Sequence, residues 1–298
     1  MNSKTVNGEA TRNSMTKRIR PLAFSGVNSK TECLDGYIAR CDNPMQSRHV
    51  EQKGIPMIRS TYRLLAFLLT VTTLTACCAM VSADDSGYAL LFDGKTLKGW
   101  EGNPAVWSVE DDCIVGKTGK QGETNFLTYN QFLTYEGEVP ENFVLEFDIW
   151  CSKEGNSGMQ FRSWRDADTS KPWRVYGYQA DFDGVHNYSG IVYGENFRGI
   201  LANRGTISEV GDNHQPKEMK RFANNDEIKK SLHVEGWNHY KVTVQGYLFI
   251  MEINGVVTSI LVDEDKEARR NEGVLAIQVH AGPPMKVMLK SIKIKAMP

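Results

Sequence analysis

The chain has 298 residues, a near-balanced charge (35 Lys and Arg against 36 Asp and Glu, net −1) and 41% hydrophobic residues. That balance argues against a nucleic-acid partner, which wants a basic face. The hydrophobic share suffices for a buried core. No Cys-x-x-Cys zinc pattern, P-loop, Rossmann fingerprint, serine-protease motif or zincin motif occurs.

Residues 1–56 are polar, rich in Ser, Asn, Lys and Arg, and without hydrophobic period. They read either as a disordered extension or as sequence upstream of the true start at Met57, and we prefer the second. Residues 57–83 run basic (Arg59, Arg63), then apolar from Leu64, then small (Val81, Ser82, Ala83) before Asp84 and Asp85. That is the order of a secretory signal, so the chain is expected outside the cytoplasm, secreted or periplasmic. The run is short and threonine-rich for a spanning helix. Leu74-Thr75-Ala76-Cys77 has the form of a lipobox, which offers a lipid anchor through Cys77 as the alternative to free release after Ala83. One domain is expected over 84–298. Its two cysteines, Cys113 and Cys151, could pair or stay buried thiols.

Strands dominate that domain. Residues 144–151 alternate, with Leu145, Phe147, Ile149 and Cys151 as the core face and Glu146, Asp148 and Trp150 on the wetter one. Over 158–164, alternation puts Gln160, Arg162 and Trp164 on one face and Met159, Phe161 and Ser163 on the other. Over 176–183, Gly177, Gln179, Asp181 and Asp183 share one face and Tyr176, Tyr178 and Ala180 the other. Residues 216–232 and 264–270 could hold short helical turns. Strands follow at 237–245 and 248–253, joined by a turn at Gly246-Tyr247. Asn254-Gly255 then marks a type I′ hairpin, whose two central residues need positive φ. Strands at 256–262, 273–280 and 287–294 complete the chain. Many short strands separated by turn signals predict an all-β sandwich or jelly roll.

Five blocks in order carry a family resemblance. Residues 91–100 (LFDGKTLKGW), 156–162 (NSGMQFR), 176–181 (YGYQAD), 189–194 (SGIVYG) and 235–238 (EGWN, followed by the Asn254-Gly255 hairpin) resemble the 3-keto-disaccharide hydrolase family, described as 3-keto-glucoside lyase/hydratases. The resemblance spans about residues 88–296. It implies a concanavalin A-like jelly-roll sandwich, a carbohydrate substrate, and elimination followed by hydration.

Such chemistry needs a base, an acid and a stabiliser for an enolate oxygen. Asp181 and Glu195 are the candidates for base and acid, in either order. Arg162 is the oxyanion candidate, because a guanidinium stays charged and donates in a fork. His280 is a proton shuttle or metal ligand, with His186 a weaker version of the same idea. A divalent metal held by Asp181, Asp183, Glu195 or His280 would suit an enolate, although the spacing does not demand one. Gln160 and Gln179 would meet sugar hydroxyls, and Trp164, Trp173, Tyr178 and Tyr193 would offer stacking faces. Arg198 and Arg204 could bind a hydroxyl-rich ligand or sit on the surface. The competing reading is a carbohydrate-binding sandwich without catalysis.

Overall fold

The computed structural model describes residues 87–298. The expected extension, the signal sequence and both cleavage alternatives lie outside the described residues. No described helix is long and apolar enough to cross a membrane.

The chain opens with β1 (Ala89–Leu90), β2 (Trp100–Glu101), β3 (Trp107–Glu110), β4 (Cys113–Lys117) and β5 (Gln131–Tyr135). The long strands β6 (Phe143–Cys151), β7 (Asn156–Arg165) and β8 (Val175–Asp183) follow. After them come β9 (Val192–Glu195), β10 (Gly199–Ala202), β11 (Thr206–Val210), β12 (Pro216–Arg221) and one short helix, α1 (Asn225–Lys229). The chain closes with β13 (Asn238–Gln245), β14 (Leu248–Ile253), β15 (Val256–Asp263), β16 (Val274–Val279) and β17 (Lys286–Ala296).

Two sheets result. The ten-stranded sheet runs β12-β11-β15-β14-β13-β6-β17-β4-β3, with β1 also on β17, and the seven-stranded sheet runs β10-β9-β8-β7-β16-β5-β2. The β11–β15 pair is parallel, and the other pairs are antiparallel. This is the jelly-roll β-sandwich that the alternation predicts. Phe143, Leu145, Phe147, Ile149 and Cys151 of β6 face inward and share one core with Met159 and Phe161 of β7, Tyr178, Ala180 and Phe182 of β8, and Leu275, Ile277 and Val279 of β16. Burying each large apolar side chain contributes roughly 1.5–3 kcal/mol, which is why a period of two fixes which face turns inward. The hairpin at 254–255 forms as read: Asn254 and Gly255 both have positive φ, and Ile253 pairs with Val256.

Of the two stretches read as possible short helical turns, 216–232 holds an exposed edge strand, β12, before the short helix α1, and 264–270 forms a turn in which Arg269 N donates to Asp265 O at 2.9 Å and the Asp265 carboxylate accepts the backbone N–H groups of Glu267 and Ala268. One expectation changes, in β7. Phe161 pairs with Tyr178 and Trp164 with Tyr176, so three steps on β7 face two on β8. This is a bulge, with Arg162 left-handed at φ 44°. It breaks the alternation. Gln160 stays opposite Gln179 on the outer face, whereas Trp164 crosses to the side of Tyr176 and stacks on it at 6.0 Å. Cys113 and Cys151 are buried free thiols. Burial first, then Asp183, pushes the Cys151 thiol up to about 12.

Candidate active site

A cleft of about 400 Å³ opens on the outer face of the seven-stranded sheet. The residues that alternate with the core positions build its floor. Gln179 and Asp181 come from β8, Tyr193 and Glu195 from β9, and Gln278 from β16. Asn130, just before β5, and His280, just after β16, form one wall. Gln179 and Tyr193 are cross-strand partners. Gly158 of β7 lies opposite Asp181, and a Cβ there would come within 2.6 Å of Gln179 Nε2. Its missing side chain makes room for the Gln179 amide, which donates to Gln278 Oε1 at 3.0 Å.

The two floor carboxyls differ in their surroundings. Asp181 is 5% exposed and its Oδ1 has no hydrogen-bond partner in the protein. Burial, then Asp183, then Glu195 hold its pKa well above the ordinary carboxylate range. Desolvation disfavours the charged form, and neighbouring negative charge adds to it. The site therefore favours the protonated form of Asp181. Glu195, also buried, instead accepts two amide N–H groups, from Asn130 Nδ2 at 2.9 Å and Asn196 Nδ2 at 3.0 Å. Asn130 is itself oriented, because its Oδ1 accepts the Ala281 N–H at 2.9 Å. Burial, then Glu195 and Asp181, raise the pKa of the Tyr193 hydroxyl, which stays an O–H donor.

Gln179, Asp181, Tyr193, Glu195 and His280, all singled out from sequence, thus meet in one cleft. The remaining candidates lie elsewhere. Arg162 turns away through the bulge and donates to the carbonyls of Gly246 (2.5 Å), Glu141 (2.7 Å) and Arg270 (3.3 Å), with its guanidinium over the Phe249 ring. It ties loops together and reaches no cleft atom. Trp164 packs between Tyr176 and Arg270. Tyr178 is fully buried and donates to Asp263 Oδ2 at 2.5 Å. Trp173 sits in the turn before β8, with its carbonyl accepting from Phe132 N at 2.9 Å. Arg198 is buried in ion pairs with Asp263 and Asp265. Gln160 is buried and does not line the cleft, and its Oε1 accepts from Ser163 Oγ at 2.8 Å. Arg204 is buried and His186 is packed on Phe182.

Asp183 shares the face of Asp181, yet its carboxylate accepts the backbone N–H groups of Asn187, Tyr188 and Ser189 at 2.8–3.0 Å. It holds a loop. His280 is exposed at the rim, its Nδ1 2.5 Å from Ala281 O. Among the described residues, no group of three or more His, Cys, Asp or Glu side chains is disposed to hold a metal. The donor set named from sequence therefore does not converge. Sequence reasoning passed over Asn130, Asn156, Tyr188, Asn196 and Gln278, which line the cleft. Gln278 alternates with apolar Ile277 and Val279, and that break in the apolar run was the available signal.

Residues 87–295 match the family described as 3-keto-alpha-glucoside-1,2-lyase-like domain, and the chain belongs to that family. A 3-keto-disaccharide hydrolase of Bacteroides thetaiotaomicron is 35% identical over 86 residues, which cover 26% of this chain and 27% of that relative, so the match spans about a quarter of the relative's length. Among solved structures, a presumed glycosyl hydrolase from Parabacteroides distasonis is 19% identical, covering 72% of this chain and 95% of that one, with a TM-score of 0.46. A carbohydrate-binding module from Bacillus subtilis is 14% identical over 66% of this chain and 96% of that one, with a TM-score of 0.42.

Proposed function

We propose that the cleft binds a glycoside oxidised at C3 and cleaves it by elimination followed by hydration, a net hydrolysis. The observation that carries this reading is the pairing, on a single polar floor, of a buried carboxyl whose Oδ1 has no partner with one held by two amides. Family membership supports the substrate class.

The C3 ketone acidifies the hydrogen on C2. Glu195 accepts that proton, and the C2–H electrons pass into the enolate centred on the C3 oxygen. The Tyr193 O–H is suited to stabilise that oxygen, since donors already in position cost no reorganisation during reaction. The enolate electrons return to form the C1=C2 bond as the C1–O bond breaks, and Asp181 protonates the departing oxygen. Water then adds at C1, giving one proton to the Asp181 carboxylate, while Glu195 returns its proton to C2. Both carboxyls end as they began. The gln and asn amides of the floor suit the sugar hydroxyls. The export-like pattern of residues 57–83 supports action outside the cytoplasm.

The test is to incubate the protein with a 3-keto-glycoside and with its unoxidised parent, with and without added divalent metal. Release of the aglycone from the oxidised compound alone is expected. Asp181→Asn and Glu195→Gln should each lower kcat by about 10²–10⁴, the usual worth of a positioned acid or base, while calorimetry still detects ligand. No release under any condition overturns the proposal.

A further inference from the structure

A second cavity of about 270 Å³ adjoins the cleft, and the two share Tyr188, Ile191 and Ile200. Tyr188 is 48% exposed and Ile200 40% exposed. Beyond them the second cavity is polar, lined by Asn203, Asn225 and Arg221 among others. An apolar ridge thus separates two polar hollows.

Tyr188 stands on a loop gripped from both sides. The Asp183 carboxylate accepts the N–H groups of Asn187, Tyr188 and Ser189. Arg204, 4% exposed, donates to the carbonyls of Ser189 (2.5 Å), His186 (3.1 Å) and Asn187 (3.4 Å). Its Nε also reaches Asn225 Oδ1 at 2.8 Å, which ties the loop to the start of α1. Two buried charges of opposite sign therefore hold the backbone of an exposed aromatic residue. A ring fixed in advance loses little freedom when a ligand covers it, and its flat face suits the C–H face of a sugar ring.

The ridge also lies on the right side of Asp181. Asp181 N donates to Ile191 O at 3.3 Å and Gly190 N donates to Asp181 O at 2.9 Å, so the ridge is the next strand segment past the proposed acid. A group leaving C1 with a proton from Asp181 would come to rest there. We infer that Tyr188 and Ile200 form the platform of a second subsite, which takes the leaving-group sugar of a disaccharide and offers its hydroxyls the polar hollow beyond. The direction of the leaving group rests on the function proposed above; the platform itself does not.

The experiment compares a C3-oxidised α-linked glucose disaccharide with methyl 3-keto-α-glucoside, and in parallel the two unoxidised parents by calorimetry. The wild type should prefer the disaccharide in kcat/KM and bind the unoxidised disaccharide more tightly than the methyl glucoside. Tyr188→Ala should reduce both preferences about five- to tenfold, the range of one aromatic contact, and Ile200→Ser should act in the same direction. Tyr188→Phe should retain them, since the face and not the hydroxyl is invoked. Equal preference in wild type and Tyr188→Ala overturns the subsite while leaving the proposed reaction standing. Absence of any 3-keto turnover overturns the reaction, and calorimetry then decides the subsite alone: equal affinity of the wild type for disaccharide and methyl glucoside overturns it.

Discussion

Asp263 and Asp181 are both buried carboxyls, on opposite sheets of the sandwich and 0% and 5% exposed, yet their surroundings are opposite. Asp263 is saturated. It pairs with Arg198, accepts the Tyr178 hydroxyl and sits beside Asp265, which accepts from Arg198 at 3.1 Å and from His214 Nδ1 at 2.7 Å. Asp181 has Asp183 and Glu195 for neighbours and an Oδ1 without a partner. A buried charge usually comes with its counter-charge and hydrogen bonds. Where a fold supplies them, the group maintains structure. Where it withholds them at the floor of a cleft, the group is poised for a ligand.

The comparison makes opposite predictions for the two regions. The largest effect belongs to Arg198→Ala. It strands Asp263 without its cation, and breaking a buried pair from one side costs about 3–5 kcal/mol. For a domain of this size that lowers Tm by on the order of 10 °C. Thermal unfolding at neutral pH measures it, and a fall of less than about 2 °C would mean the cluster is ornamental. A smaller effect is expected at Asp183→Asn. The variant keeps the shape but weakens three charge-assisted bonds to the 184–190 loop, at about 1–3 kcal/mol in total. It should loosen that loop locally. Hydrogen exchange at Asn187, Tyr188 and Ser189 should rise while the amides of β6 remain protected, and unchanged exchange at those three positions would sink the loop assignment.

The sandwich was legible because burial enforces a period of two. The residues 143–151 alternate without exception between buried and half-buried, as the apolar pattern requires. The Asn254-Gly255 turn was legible because few residue pairs accept positive φ together. Several of the motif blocks are architectural. Asp93 accepts the N–H groups of Lys95 and Thr96 at 2.8 and 2.7 Å, Trp100 Nε1 bonds Leu91 O at 2.8 Å, and Asn254 Nδ2 bonds Asn238 Oδ1 at 2.9 Å. The site was half legible. Asp181 follows from strand parity and Glu195 stands next to the 189–194 block, but parity fails where a non-glycine residue turns left-handed, and Arg162 and Trp164 were misplaced for that reason. Asn130 could not be read at all. It reaches Glu195 across 65 residues of sequence and Ala281 across 151, a meeting that only the sheet order creates.

The smallest effect is also the one most particular to Asp181. Its folded pKa is raised, so between the ordinary Asp value and that raised value the folded protein holds a proton that the unfolded chain releases. Stability must then fall as pH rises through the window. Asp181→Asn has no proton to release and keeps nearly the same shape. Its Tm should approach that of the wild type well below the ordinary Asp value, where both states of the wild type are protonated, and exceed it increasingly toward neutral pH by about 2 °C or more, the shift that 1 kcal/mol produces in a domain of this size. A substitution that abolishes turnover and raises stability together is the signature of a site held against the preference of the fold. A variant that is less stable than the wild type at neutral pH, or whose advantage ignores pH, would place Asp181 with Asp263 as a carboxyl the structure needs.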